Sequence, residues 1–128
     1  MRLLLDTHAF LWFINGDDNL SQHSQLLIQD TNNEVLISIA TLWEISIKSS
    51  LKKLELAQSF EILIPKELIN NKFTLLPITV EHLIQLGKLP LHHRDPFDRI
   101  LIAQSLCEQL PIVSKDSQFN NYSLEIIW

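Results

Sequence analysis

Short apolar runs that alternate with longer helical segments constrain this chain more than any other feature. Residues 2–5, 34–37, 73–78, 112–114 and 124–127 have the length and composition of buried strands. Between them lie stretches that predict helices over 7–14, 21–30, 38–54, 60–70, 79–86 and 95–110, with Pro65 sitting awkwardly inside the fourth. Strands that are apolar on both sides and separated by helices predict a parallel sheet covered on both faces, an α/β fold. In such sheets, ligands sit outside the carboxyl ends of the strands. That rule directs attention to Asp6, to the helix that starts after Ser38, and to the turn Ser114-Lys115-Asp116.

Composition narrows the class. At 128 residues with 46% hydrophobic and 20% charged residues, the chain suits one globular domain spanning 1–128. With only two glycines, Gly16 and Gly87, there is no glycine-rich phosphate loop, which excludes the common nucleotide-binding motifs. The single cysteine, Cys107, excludes an internal disulfide and a cysteine metal cluster, and predicts a reducing, cytoplasmic setting. The apolar start is interrupted at Asp6 and His8, and no run reaches the roughly 18 residues of a membrane span. A formal charge of −5 argues against broad electrostatic binding of nucleic acid. Setting aside the carboxylates that could share a cation leaves a surface close to neutral, with local basic spots.

Four acids lie where strands end or helices begin, and each has a structural alternative. Asp6 follows three leucines; it either caps the helix that starts at Thr7 or faces a ligand. Glu44 shares a polar stripe with Thr41 and Lys48, opposite a side formed by Ile39, Leu42, Trp43, Ser46 and Ile47. Thr41-x-x-Glu44 also matches a capping box, and Glu44 with Lys48 an i, i+4 ion pair worth only about 0.2–0.5 kcal/mol. In Asp95-Pro96-Phe97-Asp98, proline at the first helical position makes Asp95 the natural cap, which leaves Asp98 as the functional candidate. Asp116 either caps a short turn or completes an acidic cluster, with Ser114 placed to hold it. Carboxylates brought close together repel unless a cation neutralises them, and hard oxygen ligands suit Mg²⁺ or Mn²⁺. Such metals support phosphodiester hydrolysis.

The segments Leu4-Leu5-Asp6-Thr7-His8, Trp43-Glu44-Ile45, His93-Arg94-Asp95-Pro96-Phe97-Asp98-Arg99 and Val113-Ser114-Lys115-Asp116 together resemble the PIN-domain family, in particular the VapC-like toxins of prokaryotic toxin–antitoxin pairs. The resemblance covers essentially the whole chain and is most specific in the third segment. It implies a three-layer α/β/α domain with a central, mostly parallel sheet, and Mg²⁺- or Mn²⁺-dependent endoribonuclease activity. Its acidic quartet falls on Asp6, Glu44, Asp98 and Asp116, with Asp6, Asp98 and Asp116 as metal ligands and Glu44 orienting the attacking water or binding a second metal. Asp95, Ser114 and Thr7 are secondary candidates, and Arg94, Arg99, Lys48 and Lys115 are candidates for holding RNA phosphates. A homodimer and an antitoxin partner are also implied, and the leucine-rich stretch 51–56 is a candidate pairing surface. Trp12, Trp43 and Trp128 are expected to serve packing, and His8, His92 and His93 to lie in loops or contact phosphate. Two alternatives remain open at this point: a PIN-like module that binds without cleaving, and a metal-dependent phosphohydrolase that acts on DNA.

Overall fold

The structure is a computed structural model that describes residues 1–92 and 95–128; His93 and Arg94 lie outside the described residues. The elements follow in the order β1 (Arg2–Leu5), α1 (Thr7–Asn15), α2 (Gln22–Gln29), β2 (Glu34–Ser38), α3 (Ile39–Ser50), α4 (Phe60–Asn70), β3 (Thr74–Leu76), α5 (Val80–Lys88), α6 (Pro96–Glu108), β4 (Ile112–Val113), a 3-10 turn (Ser117–Asn121) and β5 (Ile126–Ile127). The five strands form one sheet in the order β3-β2-β1-β4-β5, and every pairing is parallel. The predicted α/β/α architecture is therefore present, with a fully parallel sheet.

Alternation along the strands builds two cores. Leu3, Leu5, Val35, Ile37 and Val113 face α1 to α4, where they pack with Phe10, Ile45 and Ile64. Leu4, Leu36 and Ile112 face the other way, toward Leu101, Ile102 and Phe119. Period-two side-chain placement sends neighbouring residues to opposite faces, which is why strands without a polar side are needed here. Each fully buried leucine or isoleucine contributes on the order of 1.5–3 kcal/mol relative to exposure.

Caps set the helix boundaries. Ser21 accepts from the Ser24 amide and Ser38 from the Ala40 amide, each ending the preceding extended segment. Asp95 caps α6 by accepting from the Phe97 and Asp98 amides, with Pro96 at the first helical position, as the sequence predicts. Pro65 is tolerated inside α4 because it lies on the exposed side, where water can satisfy the carbonyl it leaves unbonded. α3 stops at Ser50, earlier than predicted, because Lys52 turns left-handed at φ 58°.

Packing decides which side chains of α3 and of the stretch 51–56 reach the surface. On α3 the side bearing Ile39, Trp43 and Ser46 is exposed, whereas Thr41 and Glu44 are buried. The polar stripe points inward because it meets Thr7 at the strand ends, and the Trp43 ring instead packs edge-on against Phe97 at 5.2 Å. In the stretch 51–56, Leu54 and Leu56 pack against the first core, which leaves Leu51 exposed. Exposed apolar side chains also gather on α5, at Val80, Leu83 and Ile84. No helix among the described residues is long and apolar enough to cross a membrane.

Candidate active site

The strand order reverses direction at β1. The chain first moves outward through β2 and β3, then returns to add β4 and β5 on the other side. The crevice at the carboxyl ends of β1 and β4 is therefore the topological switch point, where open α/β sheets place their ligands. Asp6 follows β1 directly, and Ser114 to Asp116 follow β4.

Asp6 is held in place by the backbone. Its amide donates to Val113 O at 3.1 Å, and its Oδ1 accepts from the Ala9 amide at 2.7 Å, so it caps α1 while facing the crevice. It is only 5% exposed. Burial pushes its carboxyl above the ordinary value of 3.8; a hydrogen bond with Ser114, the Ala9 amide and the charge of His8 partly offset this, while the charge of Asp116 adds to it. The capping alternative set out for Asp6 is thus present, and a cap uses one carboxylate oxygen. Ser114 is buried, and its Oγ accepts from the Asp116 amide at 3.0 Å, which fixes the turn after β4. Asp116 in turn caps the 3-10 turn by accepting from the Gln118 amide at 2.9 Å.

The other acids approach from α3 and α6. Glu44 is 5% exposed and has both oxygens engaged. Thr7 Oγ1 donates to Oε1 at 2.7 Å, and Lys48 Nζ donates to Oε2. Thr41, wholly buried, lies 3.4 Å from Thr7 through their hydroxyl oxygens. The capping-box reading of Thr41 and Glu44 is thereby excluded, since Ser38 starts the helix. The i, i+4 ion pair is present, but it joins a buried carboxylate rather than two solvated ends. The hydrogen bond from Lys48 to Glu44 raises the Lys48 pKa above 10.5, with further support from the charges of Asp95 and Asp98. Lys48 therefore supplies positive charge to three carboxylates. Asp95 Oδ1 accepts from the amides of Phe97 and Asp98 at 2.9 and 3.2 Å, as a cap should. Asp98 is half-buried in the first turn of α6.

Among the described residues, no three aspartate, glutamate, histidine or cysteine side chains are gathered closely enough to enclose a metal ion. The donors nevertheless fit a hard divalent cation in kind. All are oxygens, and the buried Asp6 feels the charge of Asp116. Mg²⁺ commonly takes one or two carboxylates and keeps several waters, so a closed protein cage is not required.

The remaining predicted contacts separate clearly. Arg99 donates to the carbonyls of Pro90 at 3.1 Å and Leu86 at 3.3 Å, so its guanidinium ties α6 to the end of α5. Lys115 is exposed and lies 5.9 Å from the Trp12 ring centroid. Trp12 packs on Trp128 at 5.9 Å, the packing role expected of both. His8 is exposed and lies against Trp12 at 5.4 Å, and His92 against Tyr122 at 5.3 Å. The role of Thr7 as the fixed donor to Glu44 was underestimated from sequence; its position directly after Asp6 was the available signal.

The family model described as PIN domain matches residues 3–124. The chain belongs to the PIN-domain family. Its fold is similar to chains in VapBC2 from Rickettsia felis bound to a DNA fragment from its promoter (17% identity, TM-score 0.75, covering 100% of this chain and 99% of the other). It is likewise similar to a chain of DNA-bound VapBC from Salmonella typhimurium (17% identity, TM-score 0.72, 99% and 97% covered). A third likeness is to VapBC-5 from Mycobacterium tuberculosis, a member of the VapBC family of toxin–antitoxin systems (18% identity, TM-score 0.64, 98% and 97% covered). At these identities the likeness establishes the fold. No curated protein matches the sequence.

For this PIN domain the position of Asp6 has a consequence in pH. The folded state holds the Asp6 proton more tightly than the unfolded state, so the folded state binds more protons above 3.8. The penalty for the charged form is absent below 3.8, develops as pH rises toward the raised value, and is complete above it. Asp6→Asn keeps a cap acceptor without the charge. In EDTA the variant should melt higher than the unsubstituted protein at neutral pH, and the difference should shrink toward zero as pH falls to 3.8. Parallel thermal melts across that range provide the check; a constant or inverted difference would count against the buried-charge account.

Proposed function

We propose that this PIN domain is a divalent-metal-dependent endoribonuclease of the VapC type, the toxin of a toxin–antitoxin pair. The observation that carries the proposal is a buried acid, Asp6, at the switch point of the sheet, where it feels the charge of Asp116. A carboxylate whose charged form is disfavoured, first by burial and then by a neighbouring acid, is what a bound cation would relieve. Asp6, Asp98 and Asp116 would hold Mg²⁺ or Mn²⁺, with Glu44 facing the water. When bound, the ion would lower the pKa of a water molecule and stabilise charge on the phosphoryl oxygens.

The chain's own residues set up the rest. Thr7 and Lys48 fix both oxygens of Glu44, which orients that carboxylate toward one direction of attack. A phosphate entering the crevice offers Lys48 an alternative partner, which would release Glu44 Oε2 to accept a proton from the water. Lys115, at the mouth beside Asp116, adds positive charge for the backbone of the strand. Arg94 remains a candidate for the same task. Asp95 and Ser114 act by positioning their neighbours.

Toxin–antitoxin complexes among the structural relatives support an antitoxin as partner. The exposed Val80, Leu83 and Ile84 on α5 support pairing of two copies. The cytoplasm is the compartment in which such an enzyme would meet its RNA. Single-stranded RNA and DNA of one sequence, offered together at fixed salt with Mn²⁺, test the substrate assignment. RNA should be cut while the DNA stays intact. Preferential cutting of DNA would replace the ribonuclease assignment with a deoxyribonuclease one.

A further inference from the structure

Beside the acids lies a cavity of about 300 Å³ between α1 and the end of α3, and it shares Thr7 and Glu44 with them. Whatever fills it lies next to the group on which the acids act. Its walls combine aromatic, cationic and amide groups over an apolar floor of Leu11, Ile45 and Leu54. The Asp17 carboxylate at the rim is turned to Asn19, whose backbone amide and side chain both donate to it. Trp12 and His8 give an aromatic side, with Trp12 steadied by Trp128. Lys48 and Lys53 give positive charge, and Asn15 gives an amide able both to donate and to accept.

Two local turns bring these groups together. Gly16, at φ 62°, ends α1 with its amide donating to Phe13 O and Trp12 O, which leaves Asn15 at the rim. After α3, Lys52 adopts φ 58°, a conformation that L-residues other than glycine and asparagine enter only at a cost. The chain then folds back, and the amides of Lys53 and Leu54 both donate to Lys48 O at 2.8 and 3.2 Å. That reversal puts Lys53 on the same wall as Lys48. Lys48 is already bound to Glu44, whereas Lys53 makes no ion pair among the described residues.

We propose that this cavity seats one nucleotide of the bound single-stranded RNA, adjacent to the scissile phosphodiester. The proposal rests on the nuclease assignment and adds its substrate subsite. The base lies against Trp12 and His8, its edge meets Asn15, and Lys53 holds a phosphate of that nucleotide. Aromatic stacking combined with a cationic groove is the general means of gripping single strands, and exposed base edges supply sequence preference. Lys53 and Asn15 are therefore specificity and positioning residues, and the chemical step does not pass through them.

The test uses the full chain and tetranucleotide RNAs of each of the four bases. Binding is read in EDTA by fluorescence anisotropy, and cleavage is read separately with Mn²⁺. Lys53→Glu should weaken binding by about tenfold or more, and Lys53→Ala by less, since a phosphate contact is lost in both and repulsion is added in the first. Lys66→Glu, an equal charge change on the exposed side of α4, should have little effect. Asn15→Asp should change the order of affinity among the four bases. In cleavage, Lys53→Glu should raise KM with kcat nearly unchanged. Equal weakening by Lys53→Glu and Lys66→Glu would reduce the effect to general charge and overturn the subsite. An unchanged affinity and KM in Lys53→Glu, with cleavage intact, would overturn the subsite while leaving the nuclease standing. Binding that depends on Lys53 in a protein that never cleaves RNA would keep the cavity as a nucleotide site and remove the nuclease. If Lys53→Glu abolishes binding of a protein partner but leaves RNA binding unchanged, the cavity belongs to that partner and the proposal fails.

Discussion

Asp98→Asn is expected to lower metal-dependent RNA cleavage by at least about a hundredfold, because even the outer partners of a metal site are worth 10–100-fold. Asp95→Asn is expected to retain most of the activity. The two acids stand three residues apart at one helix end, but their surroundings differ. Asp95 gives Oδ1 to the amides of Phe97 and Asp98, a task asparagine performs equally well. Asp98 occupies the first turn, where its charge reaches the ammonium of Lys48. Single-turnover rates with matched melting curves distinguish loss of chemistry from loss of fold. The reverse pattern, an inactive Asp95→Asn and an active Asp98→Asn, would make Asp95 the ligand and leave Asp98 as support for the helix end.

Metal binding should appear as stability even without substrate. An ion that binds only the folded state adds RT ln(1 + [L]/Kd), about 2.7 kcal/mol at a hundredfold excess over Kd. For a domain of this size that is roughly 5–10 °C of melting temperature. Mn²⁺ should do at least as well as Mg²⁺, since both favour oxygen ligands and Mg²⁺ sheds water reluctantly. Lys48 makes the expectation more specific. Its ammonium already supplies charge to Glu44, Asp95 and Asp98, so an ion must compete with it or settle nearer Asp6 and Asp116. Asp6→Asn should therefore abolish the metal-induced rise, although it melts higher than the unsubstituted protein in EDTA. A melting series in 5–10 mM metal, on the order of weak carboxylate sites, reads both effects. An unchanged metal response in Asp6→Asn would place the ion elsewhere.

The sheet was legible because its strands are apolar without interruption and helical stretches separate them; Asp95 caps α6 as the sequence indicates, and Asp6 takes the capping alternative set out for it. Strand order was not legible, because identical apolar runs do not specify their neighbours. Which face of α3 points inward was not legible, for a definite physical reason. Hydrophobic periodicity assumes that burial follows apolarity. The buried side of α3 includes Thr41 and Glu44, each meeting the Thr7 hydroxyl, while Trp43 stays at the surface. Lys52 carried no turn signal, since lysine in a left-handed conformation is dictated by what surrounds it rather than by its own preference. The same limit hid Lys53 and the cavity it lines.

The acids of this domain are assigned one task, and a single assay examines it most directly. A labelled single-stranded RNA is incubated with the purified protein in EDTA, then with excess Mn²⁺ restored, alongside folded Asp6→Asn at equal concentration. The account predicts no cleavage in EDTA, cleavage on restoring Mn²⁺, and none from Asp6→Asn under either condition. Cleavage that persists in EDTA, or that Asp6→Asn performs as well as the unsubstituted protein, would contradict it.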